Sequence, residues 1–439
     1  MSKYIITWAG AGAPHPVWRS MQHYAEHIGA RLLVIPSWYD DLHQDFTEDA
    51  IFKPMKLHPN LTVYPEVAIK STIVRPLTGL EVYAGTSWGV FGHPRKQLRT
   101  IATGSRCARQ VQTTGAATSN NNYPTTAIGQ RAKQHHVYGA TLVETSKSGT
   151  LHVRSLPADT RGKLYDLGKC IHPDGTIEQV RTRALICGDL HASRLDDRVA
   201  AATFWGRGCM VGELNPENIV LHDVYDMQAD NHHRARELRT QYASSFYSAL
   251  TVEDELSITA DILQKICDVT PGNVRVIQSN HDDALDKWLE SPGNVSPRNR
   301  RVYHELWVLL MRHYEKHGVW PSALPSYVLD RFGDCDGKLS FVPRNQSFAV
   351  EGVELGYHGD KGLNGARGTS NSYTRLGVKS VIGHSHTPAI LDGTYVVGVS
   401  GSLDMGYNYL PSSWMHAHCV LYQGGKRQLI NIIDGEWRA

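Results

Sequence analysis

The feature that most constrains this chain is a construction repeated through its second half, in which a short apolar run stops at a carboxylate, an amide or an imidazole. Ala184-Leu185-Ile186-Cys187 runs through Gly188 into Asp189-Leu190-His191. Asn218-Ile219-Val220-Leu221 ends at His222-Asp223, and Val274-Arg275-Val276-Ile277 passes through Gln278 and Ser279 into Asn280-His281-Asp282. Val353 to Tyr357 ends at His358, and Val378 to Ile382 ends at Gly383-His384-Ser385-His386. Runs of this kind predict buried strands whose C-terminal ends open into a shared site. An ordinary surface loop accounts for one Asp-x-His but not for five successive strand ends that carry donor side chains.

Asp, Asn and His offer oxygen and imidazole donors without a thiolate, a set that suits manganese, iron or zinc better than a cysteine-rich structural zinc site does. Two such cations about 3.5 to 4 Å apart clamp the attacking and leaving oxygens of a displacement at phosphorus. The order D-x-H, (H)D-x-x-D, (S)NHD, H, G-H-x-H resembles the calcineurin-like metallophosphoesterase superfamily, over roughly residues 182–439.

That resemblance implies a role for each position. Asp189, His191 and His386 would hold one metal, Asn280, His358 and His384 the other, with Asp223 bridging them. A hydroxide between the metals would be the nucleophile, and His281 the acid that protonates the leaving oxygen. Asp226 and Asp282 would orient these groups rather than bind metal. The implied cofactor is a pair of divalent ions, manganese first, with iron, zinc or magnesium as alternatives. Two positions depart from the family pattern: His222 and Ser279 stand where glycine is usual. His222 either packs behind its strand or faces substrate.

With 439 residues, the chain is long enough for two domains. We expect a smaller α/β domain over residues 1–180 and the catalytic domain over 181–439, the latter an α/β fold with a two-sheet β-sandwich flanked by helices (αββα), as the resemblance implies. Hydrophobic content of 41% and charged content of 20% describe an ordinary globular chain, and the formal net charge of +2 gives no global attraction to polyanions. The 7 cysteines include no C-x-x-C pair and read as reduced, mostly buried thiols of a cytoplasmic protein. No run approaches the roughly 18 apolar residues of a membrane helix, and no membrane partner is expected.

The first 70 residues alternate strand, helix and strand: Tyr4 to Trp8, Pro16 to Ile28, and Arg31 to Ile35. The intervening Gly10-Ala11-Gly12-Ala13-Pro14 lacks the third glycine of a dinucleotide fingerprint and reads as a turn. No acidic residue lies between Glu81 and Glu144, whereas Arg95, Lys96, Arg99, Arg106, Arg109, Arg131 and Lys133 do. Positive charge interleaved with Thr, Asn, Gln, Tyr123 and Tyr138 predicts a surface that touches phosphate backbone, with Arg95, Lys96, Arg99, Arg106 and Arg109 as its contacts. A solvated basic face or an oligomer contact is the alternative. Gly85-Thr86-Ser87-Trp88-Gly89 matches a nucleophile-elbow pentapeptide, but no helix pattern follows it and a turn is expected.

Short strands and an Asp174-Gly175 hairpin fill residues 141–181. Helical patterns cover Arg239 to Cys267 and Arg298 to His317, the latter with Val302, Leu306, Leu309, Leu310 and Tyr314 as its buried stripe. Asn231-His232-His233-Arg234 is a polar cluster expected at the rim of the site, with His232 toward substrate. The glycine-rich stretch Gly359 to Gly368 leaves His358 directly and predicts a loop that brings Lys361, Asn364 and Arg367 to substrate phosphates.

Several further strings together resemble the phage first-step-transfer DNA nuclease group. They are the Ile6-Thr7 strand with its helix and Leu33-Val34-Ile35-Pro36, Phe91-Gly92-His93-Pro94, Thr113-Thr114-Gly115-Ala116, His222-Asp223 with Asn231-His232-His233, and Asn364 to Gly368. This second resemblance implies a phage-encoded nuclease acting on DNA in the infected cell. Three readings compete at this level: a metal-dependent DNA nuclease that is also a homo-oligomer, a phosphatase or phosphodiesterase acting on nucleotides or other small phosphoesters, and a non-catalytic nucleic-acid-binding protein.

Overall fold

The apolar runs fold as strands of two facing sheets. The computed structural model describes residues 2–104, 108–230, 250–405 and 410–439. Arg106, His232 and the rest of the Asn231–Arg234 cluster lie outside those residues, as does the start of the helix expected from Arg239. Ala184–Ile186, Asn218–His222, Asn273–Ile277 and Leu339–Val342 run parallel, side by side. Ala417–Tyr422 pairs antiparallel with the first of them, and Lys426–Asn431 closes a six-stranded sheet. Parallel strands covered on both faces need near-continuous apolar sequence, and Leu185, Ile186, Val220, Leu221, Val276 and Ile277 are all fully buried.

One face of this sheet packs under the helices Val252–Val269, Asn280–Leu289, Arg300–His317 and Ala323–Phe332. In Arg300–His317 the buried stripe is Val302, Tyr303, Leu306 and Leu310. Leu309 is half-buried, and Tyr314 is exposed and stacks on Trp320 at 4.5 Å. The other face shares a core with a second sheet, in which Val353, Val381, Ile390 and Tyr395 meet Ile186, Val220 and Ile277.

That second sheet has ten strands and draws on both halves of the chain. From Ala349–Val350 it passes through Val353–Glu354, Lys379–Ile382, Thr394–Val396 and Ala389–Leu391 to Leu98–Ile101. Arg109–Thr113, Trp88–Phe91, Leu61–Val63 and Met55–His58 complete it. The junction is the pair Ile390 and Leu98, reinforced by the Thr100 hydroxyl on Pro388 O at 2.5 Å and by reciprocal amide bonds between Gln110 and Asn431. The ten-stranded sheet thus takes strands from both sides of residue 180.

A four-stranded sheet, Arg31–Pro36, Lys3–Ala9, Gly139–Thr145 and Leu151–Pro157, carries the helix Val17–Ile28 on one face. Arg154 ties this unit together from inside, holding Asp166 through two bonds of 2.7 and 2.8 Å while Tyr24 and Gln428 also donate to that carboxylate. The G-x-S-x-G string lies between a short helix, Leu80–Tyr83, and the strand Trp88–Phe91. This order is the reverse of a strand-to-helix elbow, so Ser87 has no nucleophile geometry. No helix among the described residues is long and apolar enough to cross a membrane.

Two of the cations expected on the basic surface, Arg95 and Lys96, are buried, whereas Arg99, Arg131 and Lys133 are exposed. Arg95 is 4% exposed and donates to Asp392 at 2.7 Å and to Val74 O at 3.1 Å. Lys96 is buried with its ammonium on Gln112, Thr113 O and Thr141, and burial pushes its pKa down to about 7. Arg99 is exposed but paired with Glu81 at 2.8 Å, and Arg109 is half-buried on its strand. Local absence of carboxylates misled the expectation because Asp392, 297 residues away in sequence, supplies the counter-charge. Arg95→Ala should accordingly destabilise the fold by about 2 kcal/mol, since it leaves Val74 O without its donor and Asp392 with Arg75 alone. Urea unfolding measures this, and an unchanged midpoint would return Arg95 to a surface role.

Candidate metal centre

Backbone pairing continues beyond the strand ends and places the donors. Leu190 N–H bonds His222 O and His191 N–H bonds Asp223 O, both at 2.8 Å, so the loops after Ala184–Ile186 and Asn218–His222 remain zipped together. Asp189 N–H bonds Gly398 O, and Ser400 N–H returns to Asp189 O at 2.7 Å. The chain then turns sharply: His191, Asp223, His384 and His386 have φ of 47°, 48°, 69° and 55°. Each left-handed non-glycine residue costs on the order of 1 kcal/mol, and strain gathered at donor positions is characteristic of a working site. Gly383 is obligatory for a different reason, since a Cβ there would lie 2.1 Å from Asp189 Oδ1.

Donor atoms of Asp189, His191, Asp223 and His386 all lie within 4.8 Å of one another, and all four residues are buried. His386 Nε2 is 3.1 Å from Asp189 Oδ2 and 3.0 Å from His191 Nε2. A single oxygen of Asp223, Oδ2, faces His358 at 3.4 Å, His281 at 3.7 Å and His191 at 3.8 Å. The His384 ring lies 5.2 Å from that of His358, and the His384 backbone N–H donates to Asp189 Oδ2 at 2.8 Å. Asp189 Oδ1, Asp223 Oδ1, Asn280 Oδ1, His386 Nδ1 and both ring nitrogens of His358 are buried without a hydrogen bond. So many orphaned donor atoms in one place would be costly for a plain core, and their oxygen and imidazole chemistry fits divalent cations.

Electrostatics agrees with this fit. Burial alone would raise the Asp223 carboxyl, but the imidazoles of His281, His358 and His191 outweigh it and hold it well below the usual carboxylate range. Burial disfavours the His191 and His358 cations, yet the surrounding carboxylates win and lift both to about 9. His384 and His386 are pushed down by burial.

Asp226 orients two rings. Its carboxylate takes His191 Nδ1 at 2.6 Å and the Ser193 hydroxyl at 2.5 Å, so His191 turns Nε2 toward the centre. Its backbone carbonyl takes His281 Nδ1 at 2.8 Å; because a carbonyl can only accept, His281 turns Nε2 toward Asp223 and the cleft. Asn280 and His281 open the helix Asn280–Leu289, capped by Ser279, whose side chain accepts from His281 N–H and Asp282 N–H. Asp282 Oδ2 completes the box on Ser279 N–H at 2.8 Å, and burial pushes its carboxyl up to about 7. Asp282 thus acts through the helix cap and not by contact with the rings. Serine in place of glycine is what makes the cap.

Asp223, His281, His384 and His386 open onto a cleft of about 800 Å³, also lined by Arg367, Thr369, Ser370 and Trp414. Arg367 thus lies in the wall of the cleft that these residues share. Lys361 lines a neighbouring cavity of about 320 Å³ with Arg344, Tyr357 and Tyr373, and Asn364 is exposed in a left-handed turn. His222 is fully buried, its ring 5.7 Å from that of His358, and neither of its ring nitrogens has a hydrogen-bond partner. Trp414, whose ring meets His386 edge-on at 4.2 Å, and Ser193 were missed. Nothing in the sequence near Trp414 marks it, and Ser193 shows only its spacing of two from His191.

Asp226→Asn should lower divalent-ion affinity by about 10- to 100-fold through loss of His191 orientation, and calorimetry with equal affinity in both proteins would refute this. Because a metal must displace protons from His191 and His358, affinity in the original chain should rise from neutral pH toward about 9. Titrations in buffers of different ionisation enthalpy count the protons released, and a pH-independent affinity would contradict the centre.

No family model matches the chain, and no solved structure does. Protein A1 of Escherichia phage T5 is 32% identical over 452 residues, covering 96% of this chain and 79% of the relative. Similarity of that extent runs through the N-terminal sheets as well as the donor-bearing strands, and with it this chain belongs to the family of phage T5 Protein A1.

Proposed function

We propose that the chain is a two-metal phosphodiesterase of the calcineurin-like metallophosphoesterase class, and that its substrate is DNA. The observation that carries this reading is the set of orphaned, buried oxygen and imidazole donors meeting at the ends of strands from two packed sheets. Helices outside the six-stranded sheet support the αββα arrangement. Asp189, His191 and His386 would hold one ion, Asn280, His358 and His384 the other, with Asp223 between them. When bound, such a pair supplies Lewis-acid polarisation of a phosphoester and activation of the attacking water, and manganese suits a donor set without thiolate.

The chain's own residues do the rest. His281 directs Nε2 into the cleft from a ring pinned by Asp226 O, the placement needed to deliver a proton to a leaving oxygen. Arg367 offers a forked donor to a phosphate at the cleft wall. DNA as the substrate class rests on the resemblance to the phage first-step-transfer nuclease group, with which membership of a phage protein family is compatible. The burial of Arg95 and Lys96 supports a second reading, a small phosphoester, because it removes the two cations that best argued for a long polyanion.

Asp223→Ala should abolish manganese-dependent hydrolysis of both DNA and a chromogenic bis-phosphoester; retained turnover rejects the centre. A higher kcat/KM on the small diester than on DNA would select the second reading. His281→Ala should leave ion binding intact and slow substrates with poor leaving groups by on the order of a hundredfold, with little effect on good ones. Equal slowing of both would remove His281 as the acid.

A further inference from the structure

A second group of metal-type side chains sits on other elements, in the three-stranded sheet Leu164–Asp166, Lys169–Ile171 and Ile177–Gln179. Cys170 and Glu178 are direct partners across antiparallel strands, so their side chains share a face. His172 follows Cys170 by two positions, just past the strand end, and the chain returns through a tight turn at Gly175 with φ 90°. The Cys170 sulfur, a ring nitrogen of His172 and a carboxylate oxygen of Glu178 all lie within 4.8 Å of one another. His172 Nε2 is already 2.8 Å from Glu178 Oε1. Cys170 is 2% exposed, whereas the side chains of His172 and Glu178 reach solvent, which gives an ion a way in.

We propose that Cys170, His172 and Glu178 form a second metal site, separate from the cleft, that takes a zinc-type divalent ion. Sulfur, nitrogen and oxygen donors about a tetrahedral ion stand roughly 3 to 4 Å apart, so small adjustments of two partly exposed side chains close the set. Water fills the fourth position. Binding forms one bond each to sulfur, nitrogen and oxygen; the Cys170 proton leaves to solvent, the His172–Glu178 hydrogen bond is given up, and nothing is oxidised or reduced. Burial pushes the free thiol up to about 11, so an ion with strong thiolate affinity is required and manganese or magnesium is a poor occupant. The ion would fasten the hairpin whose Leu164 and Ile171 pack against the helix Val17–Ile28.

None of the donors assigned to the cleft is a cysteine, which makes cobalt(II) a selective probe. Titrated into the metal-free chain, cobalt should give a thiolate-to-cobalt charge-transfer band of about one equivalent, displaced by zinc. The band should vanish in Cys170→Ser and remain in Asp223→Ala. In His172→Ala and Glu178→Gln cobalt binding should weaken by at least the roughly tenfold that loss of an outer partner costs. His172 and Glu178 are partly exposed, so these variants test the site even if Cys170→Ser disturbs packing. Absence of the band from the original chain, its survival in Cys170→Ser, or undiminished affinity in both of the other variants would overturn the proposal. Loss of activity in the cleft has no bearing on it.

Discussion

Two carboxylates, Asp189 and Asp223, are buried side by side, and the surrounding structure answers that fact. Removing a carboxylate from water costs several kcal/mol even after relaxation, and two together add mutual repulsion. Here the cost is offset by imidazoles at 3.1 to 3.8 Å, by the His384 N–H on Asp189, and by the protons that His191 and His358 hold. A divalent cation is chemically able to replace those protons. The site is in this sense already charged for metal, and the same groups that keep the metal-free fold intact are the ones that would coordinate.

Precision comes from the backbone. Pairing that continues past the strands at Leu190 and His191 sets the separation of the two carboxylate-bearing loops, and the left-handed turns at His191, Asp223, His384 and His386 aim the side chains inward. Gly383 admits Asp189 where any side chain would collide. Asp226 fixes two imidazoles at once, through its carboxylate and its carbonyl.

Part of the positive charge of the N-terminal half is used inside the fold. Arg95 joins its loop to Asp392, Arg154 gathers the first helix, two sheets and the last strand around Asp166, and Lys96 caps buried oxygens. These ties, with the shared ten-stranded sheet, make the N-terminal strands an extension of the scaffold that carries the centre. Arg367 on the loop leaving His358 remains as a cation at the cleft itself.

Strand ends, donor residues and the α/β class were legible in the sequence because apolar runs bounded by Asp, Asn and His are a local signal, and burial of a parallel strand demands it. The Asp174-Gly175 hairpin and the helix Val17–Ile28 were legible for the same reason, since turn chemistry and helical period are short-range. Pairing of Leu98 with Ile390, the partner of Arg95, the inward face of His222 and the contact of Trp414 with His386 were not. Each joins residues far apart in the chain, and no residue records in its own neighbourhood which distant group will compensate its charge or cover its surface. Sequence alone determined which side chains could serve as donors; only tertiary packing decided which of them meet, and which cations are consumed in holding the fold.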